Sequence, residues 1–413
     1  MFDTSSFRIR YKAPVEKPLL IAAGPLVILA VLAAALWSRY AAPISIGPWI
    51  SPDLLGLLLP IAALAALAIV IERMFGADEG YPWRRSIAAT GAGIVGGTLL
   101  VGAWGKLLDP IAFAQNLRLE GITSWLGSGW YPATVPALLV IAIEVLLGSL
   151  LVLGVRYRST LVATGLLVAF FLFLTGRAWW RDAHGIVTGD AASCGCFGNL
   201  LDRTPREAFF QDAALLVPGL LLALLGVLQR HMLGRRVATA WLVTAAAVTL
   251  GWFAPGLPVD DLATRLAPGR AASSICAGRG EERLCLPTLI PELAHGRHLV
   301  VLLDLEAKEM DAEVESLNHY WLANESPRLW VLSAATAEQS RAFFWKYGPA
   351  FEVREVPPSM LRPLYRSLPR SFLVWDGKVT ETWSGLAPMV VASAGNKPPA
   401  RALTDRKASG EAR

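Results

Sequence analysis

Apolar positions crowd into long blocks up to about residue 254, separated by short polar connections. Several blocks reach the roughly 20 residues that a helix needs to cross a bilayer. Seven spans are predicted, at Leu19–Trp37, Leu54–Ile71, Ile87–Leu108, Ala133–Val155, Thr160–Trp179, Phe209–Leu228 and Val237–Phe253. The third and seventh are rich in Gly, Ala and Thr rather than large apolar residues, so a six-helix bundle is the alternative count. Beyond residue 254 the period changes. "HLVVLLDL" from His298 and "RLWVLSA" from Arg328 are compact apolar runs of strand length. Asp311–Ala323 and Ala337–Tyr347 carry helical periodicity. "PRSFLVWDGKVTETWSG" from Pro369 reads as a hairpin turning at Asp376-Gly377. That order of strand, helix, strand, helix and hairpin predicts a small α/β domain.

Composition supports the division. Hydrophobic residues make up 54% of the chain and charged residues 17%, too apolar a balance for an ordinary soluble protein. The net charge of +5 does not indicate nucleic-acid binding, because the basic residues are scattered over the connections. They sort by side instead. Arg8, Arg10, Lys12 and Lys17 precede the first span. Arg73, Arg84 and Arg85 fill the second connection, Arg156 and Arg158 the fourth, and Arg230, Arg235 and Arg236 the sixth. By the positive-inside rule the N-terminus is cytoplasmic, and seven spans carry the C-terminal domain to the far side, the periplasm of a bacterial inner-membrane protein. The first apolar run is long enough to span and is kept as a helix rather than a cleaved signal.

The chain has four cysteines, and this topology places all of them in the compartment where disulfides persist. Cys194 and Cys196 lie in "SCGCFGN", the polar connection between the fifth and sixth spans. A bridge across Cys-x-Cys closes a very small ring, and such strained bridges exchange readily. Three chemistries fit the pair: thiol–disulfide exchange, a structural bridge, or a soft-metal site with His184 as a further ligand. Cys276 and Cys285 flank a Gly-rich turn and are the candidates for a structural disulfide, or for a second pair exchanging electrons with the first. The Pro- and Gly-containing stretch from Ala254 to Arg270 reads as a linker permitting relative motion.

Three segments carry a family resemblance: "WGKLLDPIAFAQNL" from Trp104, "IEVLLGSLLVLG" from Ile143 and "CGCFGNLLDRTPREAFFQD" from Cys194. Together, over about residues 87–226, they resemble the methylamine-utilisation MauE group of DoxX-like membrane proteins. The resemblance implies a four-helix core and a redox role outside the cytoplasm, of the kind linked to maturing a disulfide-rich methylamine dehydrogenase subunit. Within the region, Lys106 and Asp109 read as an interfacial helix cap with a local ion pair, or Lys106 as a cation that lowers the pKa of a nearby cysteine and favours its thiolate. Glu144 sits in the fourth span. It is read as a protonated, hydrogen-bonded group between helices or as part of a proton relay or ligand site.

The C-terminal domain resembles the thioredoxin-like domain of TlpA-type proteins, carried by "LPRSFLVWDGKV". On that resemblance Pro369 is the cis proline before a strand. The expected Cys-x-x-Cys is replaced by Glu306-Ala307-Lys308-Glu309-Met310, so the domain is expected to dock partners rather than catalyse.

The sequence therefore predicts a membrane all-α bundle over 1–254 and a linker and hairpin over 255–293. A periplasmic thioredoxin-like α/β domain follows over 294–393, with a polar tail over 394–413. The expected activity is thiol–disulfide exchange at Cys194 and Cys196 for a periplasmic cysteine-containing client or thioredoxin-like partner. A quinone or another membrane thiol carrier is the candidate electron partner. The alternatives are a non-catalytic assembly factor with structural disulfides, or a metal-handling membrane protein.

Overall fold

The computed structural model describes residues 52–75, 82–119, 121–123, 130–186, 204–225, 233–277, 284–323 and 326–395. The chain divides into two compact units, one of residues 1–104, 138–173 and 210–250, the other of residues 105–137, 174–209 and 251–413. The helical region comprises α1 (Pro52–Phe75), α2 (Pro82–Leu108), α3 (Pro110–Leu119), α4 (Trp130–Val152), α5 (Arg158–Ala183), α6 (Pro205–Leu224) and α7 (Leu233–Phe253). Five described helices are long and apolar enough to cross a membrane: α2 and α4 to α7. The first predicted span lies outside the described residues, and the second falls on α1.

The first unit is organised around α2, whose span is 78% buried against 28% for α6 and α7. Its small residues are the cause. A Cβ placed at Gly91 would lie 2.5 Å from the Gly219 carbonyl oxygen on α6. One at Gly93 would lie 2.5 Å from the Ala65 Cα on α1, and one at Gly96 would lie 2.8 Å from the Gly148 oxygen on α4. Three neighbouring backbones thus approach α2 at distances that only glycine allows, the small-residue packing typical of helices in lipid. The composition that made this span look marginal is what places it at the centre.

In the second unit, the C-terminal domain is built on a five-stranded mixed sheet. Its strands are β3 (Arg297–Leu302), β4 (Arg328–Ser333), β5 (Val353–Glu355), β6 (Arg370–Trp375) and β7 (Lys378–Trp383), in the order β5-β4-β3-β6-β7. β3, β4 and β5 are parallel, while β6 and β7 run antiparallel. Both sheet faces are covered, so β3, β4 and β6 are each buried at all but one residue. Leu299 and Val301 face a core with α8 (Asp311–Ala323), α9 (Ala337–Tyr347) and α10 (Pro388–Gly395). Val300 and Leu302 face the other core. Helix α9 opens with a capping box between Thr336 and Gln339 and stops at Gly348 in the left-handed conformation. Asp376 and Gly377, both with positive φ, make the two-residue turn between β6 and β7.

The stretch expected as a mobile linker is part of this fold. Leu266, Ala272, Ile275, Leu286, Ile290 and Leu293 all belong to the second core. The backbone of Gly269 donates to Val379, that of Ala272 to Gly377, and that of Val379 to Arg270. Two arginines tie the same stretch down. Arg370, 1% exposed, donates to Asp261 at 2.9 Å and to Thr264 at 2.8 Å. Arg366 donates to the Ala254 and Leu257 carbonyls and lies 3.9 Å from Asp260. The Pro and Gly content indicated an irregular path, but the buried leucines and paired charges hold that path in one place. The short strands β1 (Cys276–Ala277) and β2 (Leu284–Cys285) pair Cys276 opposite Cys285, and a disulfide joins the two.

Candidate functional site

Helix α2 ends at Leu108, and Pro110 begins α3 at the position where a missing N–H costs nothing. Asp109 between them caps α3: its carboxylate accepts from the Ala112 N–H at 3.0 Å. Lys106, 2% exposed, holds its Nζ 5.2 Å from the centre of the Phe113 ring. Asp109 is itself buried. Burial pushes its carboxyl above the ordinary range; the Ala112 N–H and the Arg366 and Arg362 guanidinium groups draw it back, and Asp260 adds to the rise.

Asp109 opens onto a cavity of about 250 Å³ within the second unit. Its walls are Ile111, the Pro255–Pro258 turn, Asp260, Arg366, Ser367 and Ser384. Ser384 donates to Asp260 at 2.5 Å. The wall therefore combines apolar surface with two carboxyls, one guanidinium and two hydroxyls. Ser367 belongs to the loop before the Leu368–Pro369 peptide, which is cis. Arg370, the next residue, pairs with Leu302 at the end of β3, so the loop Glu306–Met310 leaves the sheet at the same edge.

Cys194 and Cys196 lie outside the described residues. The described residues on either side belong to the second unit. Helix α5 ends with Gly185 at positive φ and the Ile186 N–H bonded back to Arg181. His184, the proposed extra metal ligand, packs on Trp180 and places Nδ1 2.7 Å from the Trp180 carbonyl oxygen. Among the described residues no group of His, Cys, Asp or Glu is arranged to hold a metal. Helix α6 opens with a capping box between Thr204 and Glu207. Trp179 stacks on Phe209 across the two helix ends at 5.4 Å.

Glu144 is 1% exposed within α4, one turn from Gly148 and hence on the side that meets α2. Asp212, wholly buried in α6, was not singled out from the sequence, although a carboxyl inside an apolar span is a usable signal. A further group in the first unit was also missed. Glu72 receives Arg156 at 3.0 Å and lies 3.5 Å from Arg85. Arg236 donates to the Leu153 carbonyl at 3.1 Å. Gly154, at positive φ, leaves room for both: a Cβ there would lie 3.2 Å from Arg236 and 3.5 Å from Glu72. These arginines were read only as markers of the cytoplasmic side. Burial pushes the Arg156 guanidinium below its ordinary range, and Glu72 opposes the fall.

A region holding apolar helices, a Lys-Leu-Leu-Asp-Pro junction and a Cys-Gly-Cys connection can now be compared with known families. Residues 84–229 match the family described as methylamine utilisation protein MauE. The MauE-like region covers about a third of the chain, from the start of α2 past the end of α6, and contains Lys106, Asp109, Glu144, Cys194 and Cys196. α1, α7 and the sheet domain lie outside it. No curated protein and no solved structure shows significant similarity to the chain. The MauE-like helices and the five candidate spans make this a multi-pass membrane region followed by a mixed-sheet domain.

Proposed function

We propose that the chain is a thiol–disulfide exchange protein of the bacterial inner membrane, serving the maturation of cysteine-containing proteins outside the cytoplasm. Cys194 and Cys196 cycle between dithiol and disulfide. The C-terminal domain is periplasmic, thioredoxin-like in topology, and receives the client or a partner thioredoxin. The observation that carries this reading is the Cys-Gly-Cys pair inside the MauE-like match. Three further facts support it. A formed disulfide between Cys276 and Cys285 suits an oxidising compartment. The strand order β4-β3-β6-β7, with a cis proline before β6, is the arrangement expected of a thioredoxin-like domain. The loop at Glu306–Met310 offers no thiol, so exchange falls to the membrane pair.

The test is alkylation of intact cells at varied redox poise, followed by trapping with Cys194→Ala and Cys196→Ala. Redox-dependent labelling of the pair, and a mixed disulfide in one variant, are the expected results. A pair that stays oxidised through mild reductant, with no trapped partner, refutes the proposal. It would favour the second reading, a non-catalytic assembly factor, to which the formed disulfide and the thiol-free loop also belong. Copper or zinc lost in Cys196→Ser would favour metal handling instead.

A further inference from the structure

Three arginines of the first unit close on one carboxyl. Glu72 of α1 meets Arg156 at 3.0 Å and Arg85 of α2 at 3.5 Å. Gly154, at positive φ, brings Arg236 of α7 to the same place: a Cβ there would lie 3.2 Å from the Arg236 Nη1 and 3.5 Å from the Glu72 Oε2. Arg156 and Arg236 are buried, while the Arg85 side chain keeps 25% of its surface open. Glu72 supplies one of the three opposing charges. The neighbouring sequence does not supply the rest: over residues 72–85, 156–158 and 234–236 it holds seven arginines against three carboxyls.

Membrane topology accounts for arginines in these connections but not for how they are held. Side chains in water would supply the charge equally well. Burying guanidinium groups costs desolvation that only opposing charge and hydrogen bonds recover. The cluster also lies where four candidate spans begin or end, at Trp83, Val152, Arg158 and Gly234. That is the depth of lipid head groups. Its flank suits the same depth. Trp83 and Met74 are exposed apolar side chains, and Arg84 lies over the Trp83 ring at 6.0 Å. Arg73, exposed beside Glu72, donates to Ser86 at 3.2 Å and keeps a further guanidinium at the rim.

We propose that this cluster binds the phosphate of an anionic phospholipid. The phosphate continues the charge balance that Glu72 begins. Arg85, the partly open member, is the edge at which it enters, and Trp83 and Met74 lie along the glycerol and upper chains. Guanidinium forks match phosphate oxygens in geometry as well as charge. Basic pockets between membrane helices take head groups of this kind. A zwitterionic head carries its own ammonium and brings no net charge, so phosphatidylglycerol is preferred to phosphatidylcholine. The inference is independent of exchange at Cys194 and Cys196.

The test melts full-length protein in neutral detergent, read by tryptophan fluorescence. Dioctanoyl phosphatidylglycerol, dioctanoyl phosphatidylcholine and inorganic phosphate are titrated separately. A ligand that binds the folded state raises the melting temperature. Phosphatidylglycerol should raise it well above the other two, and added salt should shrink that rise. Arg85→Gln should need about tenfold more phosphatidylglycerol for the same rise, the loss of one charge-assisted hydrogen bond. Glu72 keeps Arg156 in that variant, so the fold is retained. Arg341→Gln, on α9 of the sheet domain, removes the same charge outside the cluster and should respond as wild type does. An equal rise with phosphatidylcholine, a rise reproduced by inorganic phosphate alone, a rise that salt leaves unchanged, or a wild-type response from Arg85→Gln each overturns the proposal. The lipid and salt series need no variant, so they decide even where a substitution fails to fold.

Discussion

Replacing Gly91 by Ala should destabilise the helical bundle, whereas replacing Gly165 by Ala should not. Both changes lie within spans and add one methyl group. On helix propensity alone each would stabilise by about 0.5–1 kcal/mol, because Ala loses less backbone freedom than Gly. The surroundings decide the sign. At Gly91 the new Cβ would meet the Gly219 oxygen at 2.5 Å, the Leu222 Cβ at 2.6 Å and the Ala223 nitrogen at 2.7 Å. All three belong to backbone or to its first side-chain atom, so no rotamer change can relieve them. Helix α6 must retreat by nearly 1 Å, opening the close contact along several turns. Overpacking of this kind costs about 1–3 kcal/mol, and three simultaneous contacts put the cost at the upper end. At Gly165 the nearest atom is Leu220 Cδ2 at 3.6 Å, an ordinary contact. The net expectation is a loss of about 2 kcal/mol for Gly91→Ala and a gain of up to about 1 kcal/mol for Gly165→Ala. Thermal unfolding in detergent, read by tryptophan fluorescence, measures both. If Gly91→Ala melts with wild type, α2 is not the packed centre of the unit and the argument fails.

Other outcomes follow from charge and covalent links. Glu72→Gln should destabilise by about 3 kcal/mol, since it removes the carboxylate charge that Arg156, with its side chain 1% exposed, meets at 3.0 Å; chemical unfolding of the purified variant checks this. Removing the disulfide with Cys276→Ser and Cys285→Ser should lower stability by about 2–3 kcal/mol, the loop entropy of a closure between residues nine apart; melting with and without reductant should show a larger reductant effect in wild type than in the variant. Asp109→Asn should alter the pH dependence of stability. A carboxyl held above its ordinary range binds its proton more tightly folded than unfolded. Wild type therefore loses stability as pH rises from the ordinary carboxylate range through the folded value. Asn caps α3 equally well and cannot titrate, so the difference between the variants should grow with pH over that window and then level off; a melting series against pH that stays parallel would contradict this.

Much of the architecture was legible where one period persisted. Helices α8 and α9 coincide with the expected Asp311–Ala323 and Ala337–Tyr347, because amphipathic spacing marks both and a capping box and closing Gly also bound α9. The β6–β7 hairpin was announced by Asp376-Gly377. Strand β5, three residues long, carries no periodic signal and was missed. The fold of residues 254–293 was hidden for another reason. Leu286, Ile290 and Leu293 stand at helical spacing but Pro287 and Pro291 break the run into two short pieces, and Arg366 and Arg370, which hold Leu257 and Thr264, lie about a hundred residues later. The candidate site divides in the same way. Asp109 before Pro110 is a local cap and could be read directly. The cavity it opens into needs four segments that only the fold brings together, and Glu72 meets Arg156 from 84 positions away.

The anchoring of residues 254–270 bears on how electrons could travel along this chain. A second cysteine pair on a loose tether could be carried to the first, as a relay hand-off. Here the tether is stapled by Arg366 and Arg370 and threaded into a core, so Cys276–Cys285 is a fixture, not a courier. Any group that exchanges with Cys276–Cys285 must therefore come to it.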